Sequence, residues 1–471
     1  MKTKYIYILF TILTLSGCQK TDDFLDVIPT GLTIPETLED FDKMMDDYAI
    51  LRSRYENIRF IDPDVYHNQA SFTSISSNNV RVSAYLWEHD IFGAEGSDSD
   101  YEEIYYYIHV MNQVLQEVDG APAGNFNAAN RNVLKAQALG QRAMELFYAV
   151  NIYAHHYDPA NLDASGVAMP LEIDLQAQLD RTAVGKVYEQ IIKDLNQALS
   201  LLPSNYPAIE ETANFRPGRA SIYALLAEVY LYMGDFEAAK TNSNTALSLY
   251  NTLYDYNDAG LSNPSNFWSG YTEPYRSEWS PITFNKEELW ARYNYYSLSN
   301  PFHLYSPELE ALYDKSNDSR WRLFATQTSS SGIDVSPNYV YGYPRGERQV
   351  GMTVPRLMLT NAEAKARTND GPGAITVLNT LLQNRIENFV PLSHTTDVAA
   401  LQRVKEERRK ELAGTSLNLF DQKRYHVYGD AVPTYTRTNP DTGTTATLAP
   451  GDDGYVVKIA QSIINLNPNL E

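Results

Sequence analysis

The sequence contains a single cysteine and few basic residues. Cys18 stands alone among 471 residues, which excludes an intrachain disulfide and a cysteine-based zinc site. The 38 Lys and Arg residues are outnumbered by 59 Asp and Glu residues, which gives a formal net charge of −21. A nucleic-acid-binding protein needs a basic surface that displaces the counterions of phosphate groups, so the acidity argues against this class. Glycine and proline, with 24 and 23 residues, are too scarce for a fibrous or low-complexity chain.

Motifs for catalysis are also missing. The 8 histidines form no His-Glu-x-x-His zinc motif, and the chain has no Gly-x-Ser-x-Gly nucleophile turn. Gly371-Pro372-Gly373 lies between two helical patterns and lacks the preceding strand of a phosphate-binding loop. Neighbouring acids such as Asp62 and Asp64 are expected by chance in a chain with 59 acidic residues. We therefore predict that the protein is not an enzyme and binds no cofactor, and we assign no metal-ligating residues, while calcium binding is left open.

Tyrosine, by contrast, is abundant. The chain has 35 tyrosines against 16 phenylalanines, while its hydrophobic fraction of 43% and charged fraction of 21% are those of an ordinary globular protein. A chain of this length can bury a large core without disulfides or a structural metal. Tyrosine combines a flat ring with a polar tip, so the surplus favours a wet binding surface.

The N-terminal residues have the anatomy of a secretory signal peptide. Two lysines precede an apolar run at 5–15, and small residues follow the run before Cys18. The run is too short to cross a bilayer as a helix. Residues 15–18, Leu-Ser-Gly-Cys, resemble the bacterial lipobox, in which cleavage leaves the cysteine as an acylated first residue. We therefore expect a lipid anchor at Cys18, and the acidic stretch after it favours the outer face of the membrane.

Helical periodicity dominates the rest of the chain. Apolar residues recur every three or four positions in the stretches 101–118, 130–157 and 184–202. Ser99 and Glu102 have the spacing of a capping box at the start of the first stretch. These patterns predict three long amphipathic helices.

Two further stretches predict helical hairpins. Residues 219–250 fit the tetratricopeptide pattern, with a turn at 233–236 and small residues where two helices would cross closely. A weaker copy spans residues 357–386. The predicted fold class is mainly α, a tetratricopeptide-like hairpin scaffold or α-α superhelix with loop-rich insertions and a few short strands. The alternative is a generic α domain of unrelated amphipathic helices.

Three irregular stretches interrupt the helices, at 251–300, 327–350 and 434–454. Long insertions on a rigid scaffold commonly carry function. Exposed aromatic faces stack on the C–H-rich faces of sugar rings, while guanidinium and amide groups bind hydroxyls. Alternatively, such rings pack on their own scaffold. The candidate ligand-binding residues in the first stretch are Trp268, Tyr271, Tyr275, Arg276 and Trp279.

Several landmarks follow one another along the chain: Cys18 with residues 23–26, the helical stretches 101–112 and 187–195, the hairpin 225–235, Glu-Arg-Arg-Lys-Glu-Leu at 407–412 with Asp421 and Arg424, and Asn-Pro at 467–468. Together they resemble the SusD/RagB family of outer-membrane nutrient-binding lipoproteins. Their order and spacing along nearly the whole chain carry the resemblance, since no single motif is decisive. The chain departs from the family pattern at Thr415, Ser416 and Asn418, where Glu, Gly and Arg are usual, so a buried ionic network is expected to be thinner there.

The resemblance implies a helical scaffold with four tetratricopeptide-like units and a loop-rich ligand face. It implies capture of an oligosaccharide, or of a peptide in some relatives, and delivery to a SusC-like TonB-dependent transporter, over which the protein closes as a lid. A second ligand-binding patch is implied at Asn78, Asn79, Arg81 and Trp87, with burial of Trp87 in the core as the alternative reading.

We therefore predict a surface-exposed outer-membrane lipoprotein that binds an oligosaccharide and passes it to the transporter. One alternative is a tetratricopeptide scaffold that binds only protein or peptide partners, in which the loop aromatics would be buried. A second is a surface glycoside hydrolase, which needs two facing carboxylates. Exposure of Trp268 and Trp279 distinguishes oligosaccharide binding from the protein-binding scaffold.

The predicted regions are a signal peptide (1–17), a lipidated tether (18–35), an N-terminal helical region with tetratricopeptide-like units (36–250), a loop-rich aromatic ligand-binding region (251–350) and a C-terminal SusD/RagB region (351–471).

Overall fold

The chain folds mainly into α-helices. A computed structural model describes residues 35–174, 176–211, 214–279, 285–295, 302–343 and 347–471. The predicted signal peptide and Cys18 lie outside these residues. The α-helices of the described ranges are α1 (Leu38–Met45), α2 (Ile58–Ile61), α3 (Gln69–Phe72), α4 (Asn79–Tyr85), α5 (Ser99–Glu117), α6 (Ala128–Tyr153), α7 (Val184–Leu201), α8 (Arg219–Met233), α9 (Phe236–Leu249), α10 (Tyr275–Glu278), α11 (Pro307–Glu310), α12 (Ser319–Phe324), α13 (Val354–Arg367), α14 (Gly371–Leu382), α15 (Asp397–Glu411), α16 (Leu417–Val427) and α17 (Gln461–Leu466).

Short antiparallel strands connect the helical layers. One sheet has the order β1-β6-β8-β7, and the other described strands pair two by two: β2 with β3, β4 with β10, β5 with β9, and β11 with β12. The strands are β1 (Val65–Tyr66), β2 (Ser165–Val167), β3 (Thr182–Ala183), β4 (Glu288–Trp290), β5 (Tyr293–Tyr295), β6 (Leu304–Tyr305), β7 (Ala325–Thr326), β8 (Val340–Tyr341), β9 (Glu347–Gln349), β10 (Met352–Thr353), β11 (Tyr435–Thr438) and β12 (Thr445–Leu448).

The two predicted helical hairpins are present as α8–α9 and α13–α14. Gly234 ends α8 in the left-handed conformation at φ 78°, which lets the chain reverse within two residues. Asp235 then caps α9 by accepting a hydrogen bond from the backbone N–H of Ala238. Ala239 and Ala246 are fully buried on the returning helix, so small side chains do lie where the two helices pack. The tetratricopeptide-like pattern therefore predicted both hairpins correctly.

The predicted capping box at Ser99 is wrong by one residue. Asp98, not Ser99, caps α5, because its carboxylate accepts hydrogen bonds from the backbone N–H groups of Asp100 and Tyr101. Tyr153 at the end of α6 donates a further hydrogen bond of 2.7 Å to the same carboxylate. A cap that also joins two long helices depends on a residue 55 positions away, which the local Ser-x-x-Glu spacing does not encode.

A buried ionic network joins the C-terminal helices to the scaffold. Arg408 on α15 donates to Glu228 on α8 at 2.9 Å and to Asp421 on α16 at 2.8 Å. Arg424 on α16 forms ion pairs with Asp421 and with Glu363 on α13. All five side chains are buried, and each charge has a partner, which is the condition under which buried ions are tolerated. Asp421 thus has two cationic partners in spite of the departures at 415–418.

Contacts between the strands bring the irregular stretches together beside α12. In the β5–β9 pair Tyr293 lies opposite Gln349, and Asn294 lies opposite Arg348. The backbone N–H of Gly342 donates to the carbonyl of Phe324 at 2.8 Å. Two segments that are far apart in sequence therefore meet at the end of α12. Of the described helices, none combines the length and the apolar character needed to cross a bilayer.

Candidate functional site

Trp279 lies at the centre of a cluster of aromatic rings. Its ring centre is 4.7 Å from that of Tyr271 and 5.0 Å from that of Tyr275, both near edge-to-face. Tyr254 and Tyr256 approach the same indole at 5.8 and 5.2 Å. The four tyrosines are buried, whereas Trp279 is half-buried. The tyrosines therefore fix the orientation of an indole that keeps part of its surface in solvent.

The exposed side of this cluster forms one wall of a small cleft that is open to solvent. We call it the aromatic cleft. It is lined by Tyr256, Tyr271, Trp279, Tyr293, Phe324, Tyr343, Arg348 and Gln349.

Arg348 and Gln349 supply the polar side of the aromatic cleft. The guanidinium of Arg348 donates to the backbone carbonyls of Ala413 and Glu411 at 3.1 and 2.6 Å, and it lies 5.5 Å from the ring centre of Tyr343. Burial by itself would lower the pKa of Arg348, but the neighbouring Tyr343, Tyr256 and Glu411 raise it overall, so the side chain stays charged. The side chain of Gln349 is half-buried, and its amide offers donors and an acceptor for hydroxyl groups.

The aromatic cleft combines flat rings with an amide and a fixed cation. Such a surface suits a ligand with an apolar face and hydroxyl edges, because rings stack on C–H groups while the polar side chains bind oxygen atoms. Its described wall carries no carboxylate. Among the residues that the structure describes, no three His, Cys, Asp or Glu side chains converge in a way that would hold a metal ion.

The predicted loop residues fall into two groups. Tyr271, Tyr275 and Trp279 come together in the ring cluster, but Tyr271 and Tyr275 are buried, so they support the indole rather than present their own faces. Trp268 is half-buried and donates its indole N–H to the carbonyl of Thr328 at 2.9 Å. Arg276 is exposed on α10. Of the predicted residues, Tyr271 and Trp279 line the aromatic cleft.

The second predicted patch is built mainly from structural contacts. Trp87 is buried, donates its indole N–H to the carbonyl of Ile61, and has the guanidinium of Arg437 4.3 Å from its ring centre. A ring covered in this way has no face left for a ligand. Trp87 is therefore a core residue, which corrects its prediction as a ligand-binding residue. Asn78 caps α4, Asn79 begins that helix and is exposed, and Arg81 is half-buried. We draw no site from this patch.

Comparisons with known proteins agree with this architecture. A SusD-like carbohydrate binding protein from Bacteroides vulgatus superposes with a TM-score of 0.65 at 21% identity, covering 93% of this chain and 98% of that one. A SusD superfamily protein from Bacteroides thetaiotaomicron gives 0.67 at 20% identity, with 92% and 99% covered. The chain has the SusD-like fold. A laminarin binding SusD-like protein also shares the fold, with a TM-score of 0.59 at 17% identity and 91% and 98% covered.

Sequence comparisons point to the same SusD-like group. The family model SusD-like_3, described as starch-binding and associating with the outer membrane, matches residues 23–231. SusD-like protein P2 of Formosa agariphila is 26% identical over 289 residues, which are 56% of this chain. The match spans about half of that relative, 52% of its length. The resemblance to the SusD/RagB family and the mainly helical fold class are thereby confirmed.

On this SusD-like scaffold, the cleft residues that the sequence did not reveal come from other segments. Tyr256 precedes the predicted loop residues, Phe324 ends α12, and Arg348 and Gln349 lie on β9. Tyr343 alternates with Tyr339 and Tyr341 in the irregular stretch 327–350, a spacing typical of one strand face. Pairing of β5 with β9 brings Tyr293 beside Arg348 and Gln349, and the contact between Gly342 and Phe324 brings α12 to Tyr343, neither of which can be inferred from local spacing.

The acid pair Asp62 and Asp64 has no access to a substrate. Both side chains are buried, and Arg409 donates to Asp64 at 2.8 Å. Burial and the adjacent Asp64 carboxylate raise the pKa of Asp62 to about 7. Their position in the interior of the SusD-like fold therefore gives them a structural environment, not that of the two facing carboxylates of a glycosidase.

Proposed function

We propose that this protein is a carbohydrate-binding protein of the outer membrane that captures an oligosaccharide without cleaving it. The SusD-like fold, the starch-binding family model and the laminarin-binding structural neighbour support this assignment. The observation that carries it is the half-buried indole of Trp279, held by four buried tyrosines beside Gln349 and Arg348.

In this mechanism the ligand stacks one sugar face on Trp279, and its hydroxyls bind Gln349 and Arg348. The tyrosines that surround the indole keep it in one orientation, so little side-chain entropy is lost when a sugar binds. Phe267 touches Gly342 next to Tyr343, and Trp268 packs on Phe267 at 5.3 Å, so Trp268 would extend the same surface for a longer glycan. Arg276 on exposed α10 would contact only the outer part of such a chain.

Affinity electrophoresis against soluble starch and laminarin tests the proposal. We expect the purified protein to be retarded by at least one neutral polysaccharide, with Trp279→Ala and Gln349→Ala weakening the interaction about tenfold. Gln349→Ala is the more informative variant, because truncation of a half-buried amide leaves the ring cluster intact. Tyr106→Ala is the matched control, since this aromatic side chain is 56% exposed, lies on α5 and does not line the cleft.

Three results would contradict the proposal. Retardation that both cleft variants retain at full strength would remove the ligand from the aromatic cleft. Release of reducing ends from the polysaccharide by the purified protein would make it a glycoside hydrolase instead. If the protein were retarded by no glycan but recovered peptides or proteins, the scaffold alternative would be correct.

We further propose that the bound oligosaccharide passes to a SusC-like TonB-dependent transporter, over which this protein forms a lid. The support is the SusD-like architecture, in which the helical hairpins α8–α9 and α13–α14 would pack on the barrel. Co-purification of the tagged protein from outer membranes should recover a TonB-dependent barrel in near-equimolar amount. Recovery of the protein alone from gently solubilised membranes would contradict the partnership.

Lipid attachment at Cys18 on the outer face completes the proposal. Its support is the lipobox-like sequence at 15–18 and the outer-membrane description of the matching family. A single acyl chain binds membranes only marginally, so stable anchoring needs the two or more chains that such processing supplies. Cys18→Ser should release the protein from the membrane fraction. Unchanged membrane retention of Cys18→Ser would contradict lipid anchoring. Resistance of the wild-type protein to protease on intact cells would contradict surface exposure.

A further inference from the structure

A second, more polar cleft lies between α15, α16 and the segment that leads into β11. Its cavity volume is about 190 Å³, larger than the cavity volume of about 40 Å³ in the aromatic cleft. The two clefts share no lining residue. We call this second site the C-terminal cleft. Its polar wall includes Gln402, Lys405, Arg409, Asn418, Gln422 and Tyr435.

Two side chains of the C-terminal cleft have hydrogen-bonding groups without a partner. Asn418 and Tyr435 are only 7% and 8% exposed. The Nδ2 amide of Asn418 and the hydroxyl of Tyr435 are buried and make no hydrogen bond to any residue that the structure describes. Buried polar groups are almost always satisfied, because an unmade hydrogen bond carries the desolvation cost of the group. Two such groups on one cleft indicate that a polar molecule completes them.

The charges around the C-terminal cleft are already compensated. Lys405 lies 3.3 Å from Asp430, Arg409 lies against Asp64, and Glu406 pairs with Arg403 at 3.5 Å. The carboxylate of Asp421 is engaged by two arginines. Because no charge on this wall lacks a counter-charge, the cleft offers little net attraction to an anion or a cation.

We infer that the C-terminal cleft binds a small neutral polyhydroxylated molecule, such as a single sugar ring. The phenol of Tyr435 can both donate to and accept from a sugar hydroxyl, and the amide of Asn418 can donate to a ring or hydroxyl oxygen. Arg409 leaves its Nη1 unbonded among the described contacts, which adds a donor at the same wall. This site is distinct from the aromatic cleft and does not depend on the ligand proposed there.

Titration of the full mature chain with glucose, galactose and mannose, followed by saturation-transfer NMR, tests the inference. Tyr435→Phe removes only the unpartnered hydroxyl, so the fold should be at least as stable as before. We expect this variant to bind the preferred sugar about fivefold more weakly, the effect of one lost hydrogen bond. Tyr455→Phe is the matched control, because the Tyr455 hydroxyl is also buried and unpartnered but does not line the cleft.

The variant Trp279→Ala separates this inference from the proposed function. Monosaccharide binding that survives Trp279→Ala and weakens in Tyr435→Phe supports the C-terminal cleft, whatever the polysaccharide assays show. Saturation that is equal in the wild type and Tyr435→Phe would overturn it, as would the absence of saturable binding for all three sugars. Preferential binding of glucuronate would also overturn it, because a compensated wall should not select an anion.

Discussion

Glu228 offers the sharpest test of the buried ionic network. It accepts hydrogen bonds from Arg356 at 3.1 Å, Arg408 at 2.9 Å and Thr360 at 2.8 Å, and it is fully buried. Burial by itself would raise its pKa, but the two guanidinium groups and the hydroxyl outweigh burial and lower the pKa from 4.5 to about 2. The ionised form is therefore strongly favoured in the folded protein.

The magnitude follows from this pKa. One pKa unit corresponds to about 1.4 kcal/mol, so the ionised form is favoured by about 3 kcal/mol. Glu228→Gln replaces the carboxylate by a neutral group of the same shape, and we expect it to lower the free energy of unfolding by about 3 kcal/mol at pH 7. In other proteins, removing one partner from a buried ion pair lowers the free energy of unfolding by about 3–5 kcal/mol.

Urea unfolding followed by tryptophan fluorescence measures this loss. Because the folded-state pKa lies below the unfolded one, the contribution is complete above pH 4.5 and disappears as the pH falls towards 2. The free energies of unfolding of the wild type and Glu228→Gln should therefore approach each other as the pH falls from 4.5 towards 2. The double variant Glu228→Gln with Arg356→Met should recover at least about 1 kcal/mol relative to the sum of the single variants, since one stranded cation is removed.

Glu237→Gln provides the control, because this α9 side chain is 70% exposed and its pair with Lys240 should contribute less than about 0.5 kcal/mol. A loss below about 1 kcal/mol in Glu228→Gln, or one that does not depend on pH, would refute the reasoning. It would mean that Arg356 and Arg408 find other partners when the carboxylate is removed.

Two further predictions concern Lys423 and Gly414. Lys423 is buried and, among the described residues, donates to the carbonyls of Asn151 and Ala154 alone; burial lowers its pKa from 10.5 to about 7. Between pH 7 and 10 the unfolded chain then binds more protons than the folded protein. The free energy of unfolding of the wild type, relative to Lys423→Met, should therefore rise by about 3 kcal/mol from pH 7 to 9.5. A difference in urea unfolding that stays constant with pH would contradict this. Gly414 has a φ of +74°, and a Cβ there would lie 2.8 Å from the Tyr343 hydroxyl. Gly414→Ala should therefore weaken glycan binding and lower the free energy of unfolding by more than backbone strain alone, which costs about 1–2 kcal/mol. Gly429 has a φ of +77° but lies in open space, so Gly429→Ala should show only the cost of backbone strain in thermal unfolding.

The helical scaffold was predictable because its determinants are local. Ala239 and Ala246 on α9 pack against α8, which lies immediately before it in sequence. The spacing of small and large residues within 32 positions therefore contains most of the information about that hairpin. Local spacing does not predict the cap of α5 correctly, because the capping Asp98 also accepts a hydrogen bond from Tyr153, 55 residues away.

The exposure of the loop aromatics could not be predicted, because it depends on contacts with residues that are distant in sequence. A tyrosine in an irregular stretch is buried or exposed according to what packs on it, and that partner is usually distant in sequence. Tyr271 is covered by Leu323 and Phe324 from α12, and its hydroxyl lies 3.4 Å from the Leu323 carbonyl. Trp87 is covered by Arg437, whose guanidinium donates to the carbonyl of Tyr85 across 352 positions. Composition alone cannot separate these rings from Trp279.

The C-terminal cleft shows how far such distant contacts control binding surfaces. Its neutrality depends on the pair between Arg409 and Asp64, which are 345 positions apart. Without Asp64, Arg409 would present an uncompensated cation to the cleft, and the site would favour an anion. Asp64→Asn should therefore change the ligand preference of the cleft from a neutral sugar towards glucuronate, even though Asp64 does not line it. The same NMR titration measures this change, and an unaltered preference for the neutral sugar would show that the charge of Arg409 does not act on the ligand.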